Sequence, residues 1–273
     1  MPELPEVETI VRTLRPDIVG KRIFSAWTSG KPLRLARRID VKRLQAASVG
    51  ATIQSVRRKG KYILIDLDRG DGVLVHLGMT GRLRLQNVAE ERAKHTHVIW
   101  ALPDKRELRF VDPRRFGWVE AAADVDALPE VRGLGPDPLG ELDVRQLEVL
   151  LASSRSPIKA FLLDQHRIAG LGNIYVCEAL FRARIHPSTE ARRVRNKAEP
   201  LFEAIRTTLE IGIANSGTTF RDFVNSTGEP GRNIQALLVY GREGKTCGVC
   251  RQSVRRQVDA GRSTFYCARC QAR

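Results

Sequence analysis

Two pairs of cysteines near the end of the sequence constrain the fold more than any other feature. Cys247 and Cys250 form one Cys-x2-Cys pair, Cys267 and Cys270 form a second, and 16 residues separate them. This spacing is typical of a structural zinc site, because each short turn aims two thiolates at one ion. Four protein ligands fill a tetrahedral shell, so the predicted single zinc ion holds structure and has no open catalytic position. Disulfides are the alternative, which the expected cytosolic location disfavours.

The segment between the two pairs is predicted to be a β-hairpin. It runs from Gln252 to Tyr266, with its turn near 259–261. Residues 245–273 contain seven Lys or Arg and a single acid, Asp259. We call residues 245–273 the finger, and its excess of positive charge favours contact with a groove or with phosphates of nucleic acid. Arg262, just past the turn, could reach into a site or make one more phosphate contact, and spacing alone leaves both open.

The composition favours a polyanionic partner. Lys and Arg outnumber Asp and Glu by 46 to 31, a net charge of +15, and the basic residues are spread along all 273 residues. Nucleic acid is therefore expected ahead of an anionic membrane, the alternative being a basic protein with no such partner. No run approaches the ~20 apolar residues of a membrane helix, and no leader is evident, so the cytoplasm is expected.

The hydrophobic pattern changes twice along the chain. Residues 4–14 have one apolar face and predict a helix that Pro16 ends. From about 20 to 120, short apolar or alternating runs predict an antiparallel sandwich or barrel. The segment 128–139 is rich in Pro and Gly and is predicted to be a linker. Helical periods follow at 142–151, 158–162, 174–181 and 198–213.

The first residues permit amine chemistry. Removal of Met1 would leave Pro2 as an N-terminal secondary amine with the Glu3 carboxylate beside it. An α-amino group titrates near ~7.7–8.0 and a lysine near ~10.4, so at neutral pH the terminus is the better nucleophile. A secondary amine forms an iminium, which is an electron sink. The structural alternative is that these residues only start a helix, whose dipole favours acids at its N-terminus.

Two turns combine apolar and basic side chains. Met79 lies in the Gly-flanked turn 76–81, and Arg114 and Phe116 lie in the turn 112–117, directly after a predicted strand. Apolar wedges plus arginine suit a protein that unstacks a duplex and fills the gap left by an extruded nucleotide. The alternative is that Met79 and Phe116 cover the end of the sandwich core.

Further polar residues fit phosphate contacts. Asn173 follows two glycines in the segment 169–175, where the backbone could approach a phosphate at a helix N-terminus, and Lys159 lies nearby in sequence. Lys61 ends a basic turn but abuts the apolar strand 62–67, so it could be held at a fixed point.

Together these residues closely resemble the bacterial formamidopyrimidine-DNA glycosylase family. The resemblance covers essentially the whole chain, with motifs at 1–9, 76–81, 112–117, 170–175 and 264–267 in the family's order. It implies an α+β fold: an N-terminal helix plus antiparallel β-sandwich, then a helix–two-turn–helix domain and a C-terminal four-cysteine zinc finger. We expect these parts at 2–131, 132–237 and 238–273.

The resemblance also implies an activity and roles for residues. The family excises oxidised purines, 8-oxoguanine and formamidopyrimidines, from double-stranded DNA and cleaves the strand by β,δ-elimination. Pro2 would be the nucleophile and Glu3 the general acid/base, with Lys61 and Arg262 serving strand cleavage. Met79, Arg114 and Phe116 would fill the void in the duplex. The DNA-binding residues implied are His95, Arg114, Arg155, Lys159 and Asn173.

Two departures and two alternatives qualify this prediction. Relatives often have a more basic run at 153–157, where this chain offers only Arg155. The loop 226–234 aligns with the loop that covers the everted base, and Arg232-Asn233 replaces an aromatic residue of some relatives. An endonuclease VIII-like enzyme for oxidised pyrimidines is one alternative, disfavoured by Leu4 together with Met79 and Phe116. A non-catalytic zinc-finger DNA-binding protein is the other, disfavoured by Pro2, Glu3 and Lys61. We expect a monomer in the bacterial cytoplasm, associated with the nucleoid.

Overall fold

The N-terminal part of the chain forms helices packed on two antiparallel sheets. The computed structural model describes residues 2–33, 38–220 and 223–272. Helix α1 spans Leu4–Ile18, and two four-stranded sheets follow, ordered β1-β6-β7-β5 and β2-β3-β4-β8. Their strands are β1 Ser25–Thr28, β2 Ile53–Lys59, β3 Tyr62–Leu67, β4 Gly72–His76, β5 Arg82–Asn87, β6 Thr96–Leu102, β7 Arg106–Val111 and β8 Trp118–Ala122. The predicted sandwich is therefore confirmed, with α2 (Val41–Ser48) inserted after β1.

One hydrophobic core joins both sheets and α1. The apolar face of α1 contributes Val7, Ile10, Leu14 and Ile18, and Trp100 and Trp118 are the largest buried side chains of the sheets. The prediction that Pro16 ends α1 was wrong, because the helix continues to Ile18. Ile18 is fully buried, and the Arg15 carbonyl accepts the Val19 N–H at 3.2 Å. These interactions hold the last turn although proline removes one helical hydrogen bond.

The rest of the chain is helical and ends in a hairpin. The helices are α3 Pro129–Arg132, α4 Val144–Ala152, α5 Ile158–Leu163, α6 Asn173–Arg182 and α7 Ala198–Ala214, with 3-10 turns at Ala191–Lys197 and Asn233–Ala236. Four of the five match the predicted helical periods, and α3 lies within the predicted linker. Strands β9 (Arg255–Asp259) and β10 (Arg262–Tyr266) pair antiparallel, as predicted for the segment between the cysteine pairs.

The internal contacts divide the chain into two compact units. The first contains Met1–Gly133 and Asn215–Arg232, and the second contains Leu134–Ala214 and Asn233–Arg273. The segment 215–232 therefore belongs to the unit that contains the two sheets. The boundaries expected at 131/132 and 237/238 stay a prediction. Among the described residues, no helix is long and apolar enough to cross a membrane.

Candidate active site and nucleic-acid interface

The N-terminus of α1 is buried and held by its own acidic residues. Pro2 is buried, and Glu3, in an extended conformation, is the N-cap and only 3% exposed. The Glu3 N–H donates to Oε2 of Glu6 at 2.8 Å. This bond supplies an acceptor to a backbone donor that the helix itself leaves unpaired. The first two residues after Met1 are thus fixed in direction by the start of the helix.

Glu6 also ties the N-terminus to the segment 215–232 of the same unit. Its Oε1 accepts the Thr218 N–H at 2.7 Å, and a Cβ on Gly217 would lie only 2.9 Å from the Glu6 Cγ. Glu6 is therefore bonded at both carboxylate oxygens, and glycine at 217 permits the close approach. This contact joins residues 212 positions apart, so no local sequence pattern predicts it.

Lys61 follows β2, at the end of this strand toward which the N-terminus of α1 points. The helix follows β2: the Arg15 guanidinium donates to the Val56 carbonyl at 3.0 Å, and Glu8 pairs with Arg58 at 2.9 Å. Earlier residues of α1 thus meet later residues of β2, and Lys61 lies in the turn directly after β2. Lys61 is buried. The order of these contacts indicates that Pro2, Glu3 and Lys61 lie toward the same end of β2.

The two predicted wedge turns lie together. Met79 and Phe116 are exposed although both are large and apolar, at 42% and 40%. The Arg114 guanidinium lies over the Phe116 ring, 4.5 Å from its centroid. A Cβ on Gly78 would lie 2.4 Å from the Gly117 nitrogen, so the turns touch through their glycines. The third wedge residue, Arg114, thus lies on the Phe116 ring and does not extend alone into solvent.

Asp112 fastens these turns to each other. Its carboxylate accepts the Thr80 hydroxyl at 2.6 Å and the Gly117 N–H at 2.8 Å, and its own N–H donates to the His95 carbonyl at 2.9 Å. The predicted DNA-contact residue His95 is thereby placed beside the wedge. Asp112 was not among the predicted site residues, although its place at the start of a turn with two arginines is a signal for such a role.

The loop 226–234, which is predicted to cover the base, is held by side-chain hydrogen bonds near its start. The Asn225 side-chain oxygen accepts the N–H groups of Thr227 and Glu229 at 3.0 and 2.9 Å. The Ser226 hydroxyl donates to the Thr13 hydroxyl on α1 at 2.7 Å. The predicted replacement residue Arg232 is exposed, with its N–H bonded to the Asn215 carbonyl at 2.8 Å.

In the second unit, Lys159 and Asn173 both bond the finger hairpin. Lys159, in the first turn of α5, donates to the Thr264 hydroxyl at 2.6 Å and to the Ser263 carbonyl at 3.3 Å. Asn173, the first residue of α6, donates to the same carbonyl at 2.8 Å. Burial lowers the pKa of Lys159, which is 3% exposed, while Asp259 opposes that shift. Arg155 lies exposed in the loop before α5 and is not part of this group.

Arg262 begins β10 at the rim of a cavity. The cavity is about 730 Å³, and its charged lining includes Lys159, Asp259 and Arg262. Its apolar side is formed by α5 and the hairpin, including Leu163 and Val258. The second unit thus contains three of the residues predicted to contact the DNA strand, namely Lys159, Asn173 and Arg262. Pro2, Glu3 and Lys61 belong to the other unit.

The four cysteine sulfurs fit a zinc ion. The Sγ atoms of Cys247 and Cys270 are 3.9 Å apart, those of Cys250 and Cys267 are 3.3 Å apart, and all four lie within 4.8 Å of one another. Tetrahedral zinc with Zn–S near ~2.3 Å places its sulfurs about 3.8 Å apart. The donor set and the spacing therefore suit one structural zinc ion, and the predicted cofactor is confirmed at the level of the site.

Three domain models of known proteins match consecutive parts of the chain, in the order of the sheets, the helices and the cysteine cluster. Residues 1–119 match the formamidopyrimidine-DNA glycosylase N-terminal domain, 134–224 match the H2TH domain of that enzyme, and 244–273 match the zinc finger found in FPG and IleRS. A formamidopyrimidine-DNA glycosylase of Rhizorhabdus wittichii is 44% identical over 99% of this chain and 100% of its own. One of Xanthomonas oryzae is 42% identical with the same coverage.

Solved structures give the same result. A mutant Lactococcus lactis Fpg in complex with Fapy-dG-containing DNA is 33% identical, with a TM-score of 0.91 and full coverage of both chains. The MutM (Fpg) protein of Thermus thermophilus is 38% identical, with a TM-score of 0.87 over 99% of this chain and 98% of its own. The sequence, the three domain matches and the fold agree, and the chain belongs to the formamidopyrimidine-DNA glycosylase family.

Proposed function

We propose that this protein is a DNA glycosylase of base excision repair that removes oxidised purines and then cleaves the strand as an AP lyase. The observation that carries the proposal is the family match over the whole chain, with Pro2 and Glu3 in place at the N-terminus. Related enzymes have been solved with DNA containing Fapy-dG, an abasic site and carbocyclic 8-oxo-G. The substrate is accordingly duplex DNA with 8-oxoguanine or formamidopyrimidine lesions, in the bacterial cytoplasm at the nucleoid.

The proposed chemistry begins at the N-terminal amine. With Met1 removed, the Pro2 nitrogen attacks the anomeric carbon, and the glycosidic electron pair leaves with the base as the base is protonated. Glu3 is the proposed acid/base at the sugar, and its burial beside the Pro2 amine supports this role. The product is an iminium between Pro2 and the opened sugar, in which the positive nitrogen withdraws electrons from the adjacent carbon.

The strand cuts follow from that electron sink. Loss of a proton from the carbon next to the iminium expels the 3′ phosphate, and a second elimination expels the 5′ phosphate. Water then hydrolyses the iminium and regenerates the amine. Lys61, toward the same end of β2 as the N-terminus, is proposed to assist the first elimination, and Arg262 the phosphate departure. The zinc ion stabilises the finger and takes no part in these steps.

The remaining residues are proposed to hold the distorted duplex. Met79, Arg114 and Phe116 would enter the gap left by the everted nucleotide, and the attachment of their two turns to Asp112 supports a joint role. His95, Lys159 and Asn173 would contact phosphates or the strand, and Arg155 would supply an exposed phosphate contact.

Borohydride trapping on an 8-oxoguanine:cytosine duplex tests the proposal. The wild-type protein should form a covalent adduct, and Pro2→Gly should not, while Pro32→Gly serves as a matched control that keeps the N-terminal proline. The intact mass of the same preparation must show that Met1 is absent, because retained Met1 blocks the amine. No adduct from correctly processed wild-type protein would refute the mechanism. Faster release of dihydrothymine than of 8-oxoguanine from single-lesion duplexes would refute the purine preference.

A further inference from the structure

Asp259 stands out as a carboxylate placed among cations. It is the single acid in residues 245–273, beside seven Lys or Arg. It ends β9, directly opposite Arg262 in the register of the hairpin. It also lines the cavity of about 730 Å³ together with Lys159 and Arg262. A negative charge at this point weakens the attraction of the surface for phosphate. We therefore asked which structural contacts the carboxylate makes.

The turn of the finger hairpin contains an alanine in an unfavourable backbone conformation. Ala260 and Gly261 connect the strands with φ values of +47° and +75°. Both positions are left-handed, as in the tight type I′ turn, for which Asn-Gly is the preferred sequence. Alanine at the first position is strained, because its Cβ crowds the following carbonyl oxygen in that conformation. Contacts outside the turn must therefore offset this strain.

The Asp259 carboxylate supplies such contacts. It accepts the amide of Gln257 at 3.0 Å and the hydroxyl of Thr264 in a short hydrogen bond. Burial alone would raise the pKa of Asp259, but these hydrogen bonds, together with the nearby Lys159 charge, outweigh it and the pKa lies below its usual range. The group is thus ionised at neutral pH, and both bonds are of the stronger, charge-assisted kind.

The same chain of bonds continues into the helices. The Thr264 hydroxyl that donates to Asp259 accepts from the Lys159 ammonium at 2.6 Å. Lys159 and Asn173 also donate to the Ser263 carbonyl, at 3.3 and 2.8 Å, in the residue next to Arg262. The starts of α5 and α6 are therefore joined to the strand that carries Arg262. Gln257 adds a bond to the Ser188 hydroxyl at 3.1 Å.

We propose that Asp259 is a positioning residue for Arg262: through Thr264 and Lys159 it fixes the finger turn, so that Arg262 stands ready for the phosphate of the strand being cut. This inference rests on the proposed function for the role of Arg262. The fixing of the turn itself is a property of the protein without DNA. Loss of the carboxylate should slow strand cleavage more than base release, which depends on the other unit.

Three variants separate position from charge. Asp259→Ala removes both the acceptor and the charge, and Asp259→Asn keeps an acceptor oxygen for Thr264. Glu243→Gln removes the same charge from a side chain in the same unit that is 57% exposed and pairs with Arg256. Each full-length, zinc-loaded protein is cut with trypsin in the absence of DNA. The bond after Arg262 reports the turn, and the bond after Arg193, an exposed side chain of the same unit, is the internal reference.

The expected results differ among the variants. Asp259→Ala should speed cleavage after Arg262 about tenfold, the factor that corresponds to about 1.4 kcal/mol. On an 8-oxoguanine duplex it should lower the ratio of strand cleavage to base release by about tenfold. Asp259→Asn should change both readouts by less than about threefold, which is under half of that free energy. Glu243→Gln should change neither.

Several outcomes would overturn the inference. A wild-type rate of cleavage after Arg262 in Asp259→Ala would show that the carboxylate does not fix the turn. A parallel fall in base release and strand cleavage would show a merely structural role. An equal effect in Glu243→Gln would reduce the result to net charge. If the wild-type protein forms no borohydride adduct, the proposed function fails separately, and proteolysis alone then decides whether Asp259 fixes the turn.

Discussion

Glu178 joins helix α6 to the segment that leads into the zinc finger, within the second unit. This residue of α6 is 2% exposed, and its carboxylate accepts three consecutive backbone N–H groups. Oε2 accepts from Leu238 at 2.8 Å, and Oε1 accepts from Val239 at 2.9 Å and Tyr240 at 2.8 Å. Burial raises the pKa of Glu178, while the three N–H donors and Arg182 oppose that shift. One buried side chain of α6 therefore accepts three consecutive N–H groups of the segment that leads into the finger.

The substitution Glu178→Gln keeps the shape of the side chain but replaces one carboxylate oxygen, an acceptor, by an NH2 group, a donor. The amide oxygen can still accept from Val239 and Tyr240, but the amide nitrogen faces the Leu238 N–H, which costs about 1–3 kcal/mol as a buried unsatisfied donor. The two bonds that remain lose their charge assistance, about 1 kcal/mol each. Removal of a buried charge offsets part of this loss. The expected net decrease in the free energy of unfolding is about 2–3 kcal/mol.

Calorimetry and hydrogen exchange measure this decrease. For a unit of about 120 residues, each kcal/mol shifts the melting temperature by about 3–4 °C, so we expect a shift of about 6–12 °C in the transition of this unit. The amides of Leu238, Val239 and Tyr240 should exchange about 30-fold faster, the factor for about 2 kcal/mol. Glu203→Gln, on the exposed face of α7, is the matched control and should stay within about 0.5 kcal/mol. A melting temperature of Glu178→Gln within about 1 °C of wild type would refute the reasoning about the three bonds.

Three further outcomes follow from the structure. Asp112→Asn should loosen the attachment of Thr80 and Gly117 and so weaken the affinity for an abasic-site duplex about tenfold, or about 1.4 kcal/mol. A binding titration measures this change, and an unchanged affinity would show that Asp112 does not support the wedge turns. Zinc removal by a chelator should expose four titratable thiols and abolish duplex binding while the transition of the first unit persists in calorimetry. Asp66→Asn should lower the free energy of unfolding at neutral pH but not in acid. Hydrogen bonds from Arg57 and Ser55 outweigh burial and lower the pKa of Asp66 in the folded protein. The stability that the ionised carboxylate contributes is therefore present above the ordinary carboxyl pKa and is lost as the pH falls through the lowered pKa. Melting temperatures across about pH 2–7 would contradict this if the difference from wild type were constant.

Local patterns predicted much of the fold because they are set by neighbouring residues. The period of the apolar residues located α4 to α7, and the cysteine spacing located the finger and its hairpin. Pro16 misled the prediction for α1, because the burial of Ile18 against the sheets is a tertiary contact that no local pattern reports. Helix α2 was missed for the same reason: eight residues between strands carry a weak helical signal, and its N-cap Asp40, which accepts the Arg43 N–H at 2.9 Å, is a common residue type.

The candidate site divides in the same way between what is near in sequence and what is not. The proposed chemistry at Pro2 and Glu3 could be inferred from the sequence, with the family resemblance, because the amine and its carboxylate are adjacent residues. The groups that fix reactive side chains could not, because each joins segments far apart: Glu6 reaches Thr218, Asp112 reaches Thr80, and Lys159 reaches Thr264. All three are charged side chains that bond to backbone N–H groups or hydroxyls, contacts that leave no periodic trace in a sequence. Variation among relatives in lesion preference should therefore be sought first in such anchoring residues, whose substitution moves a site without removing any of its chemistry.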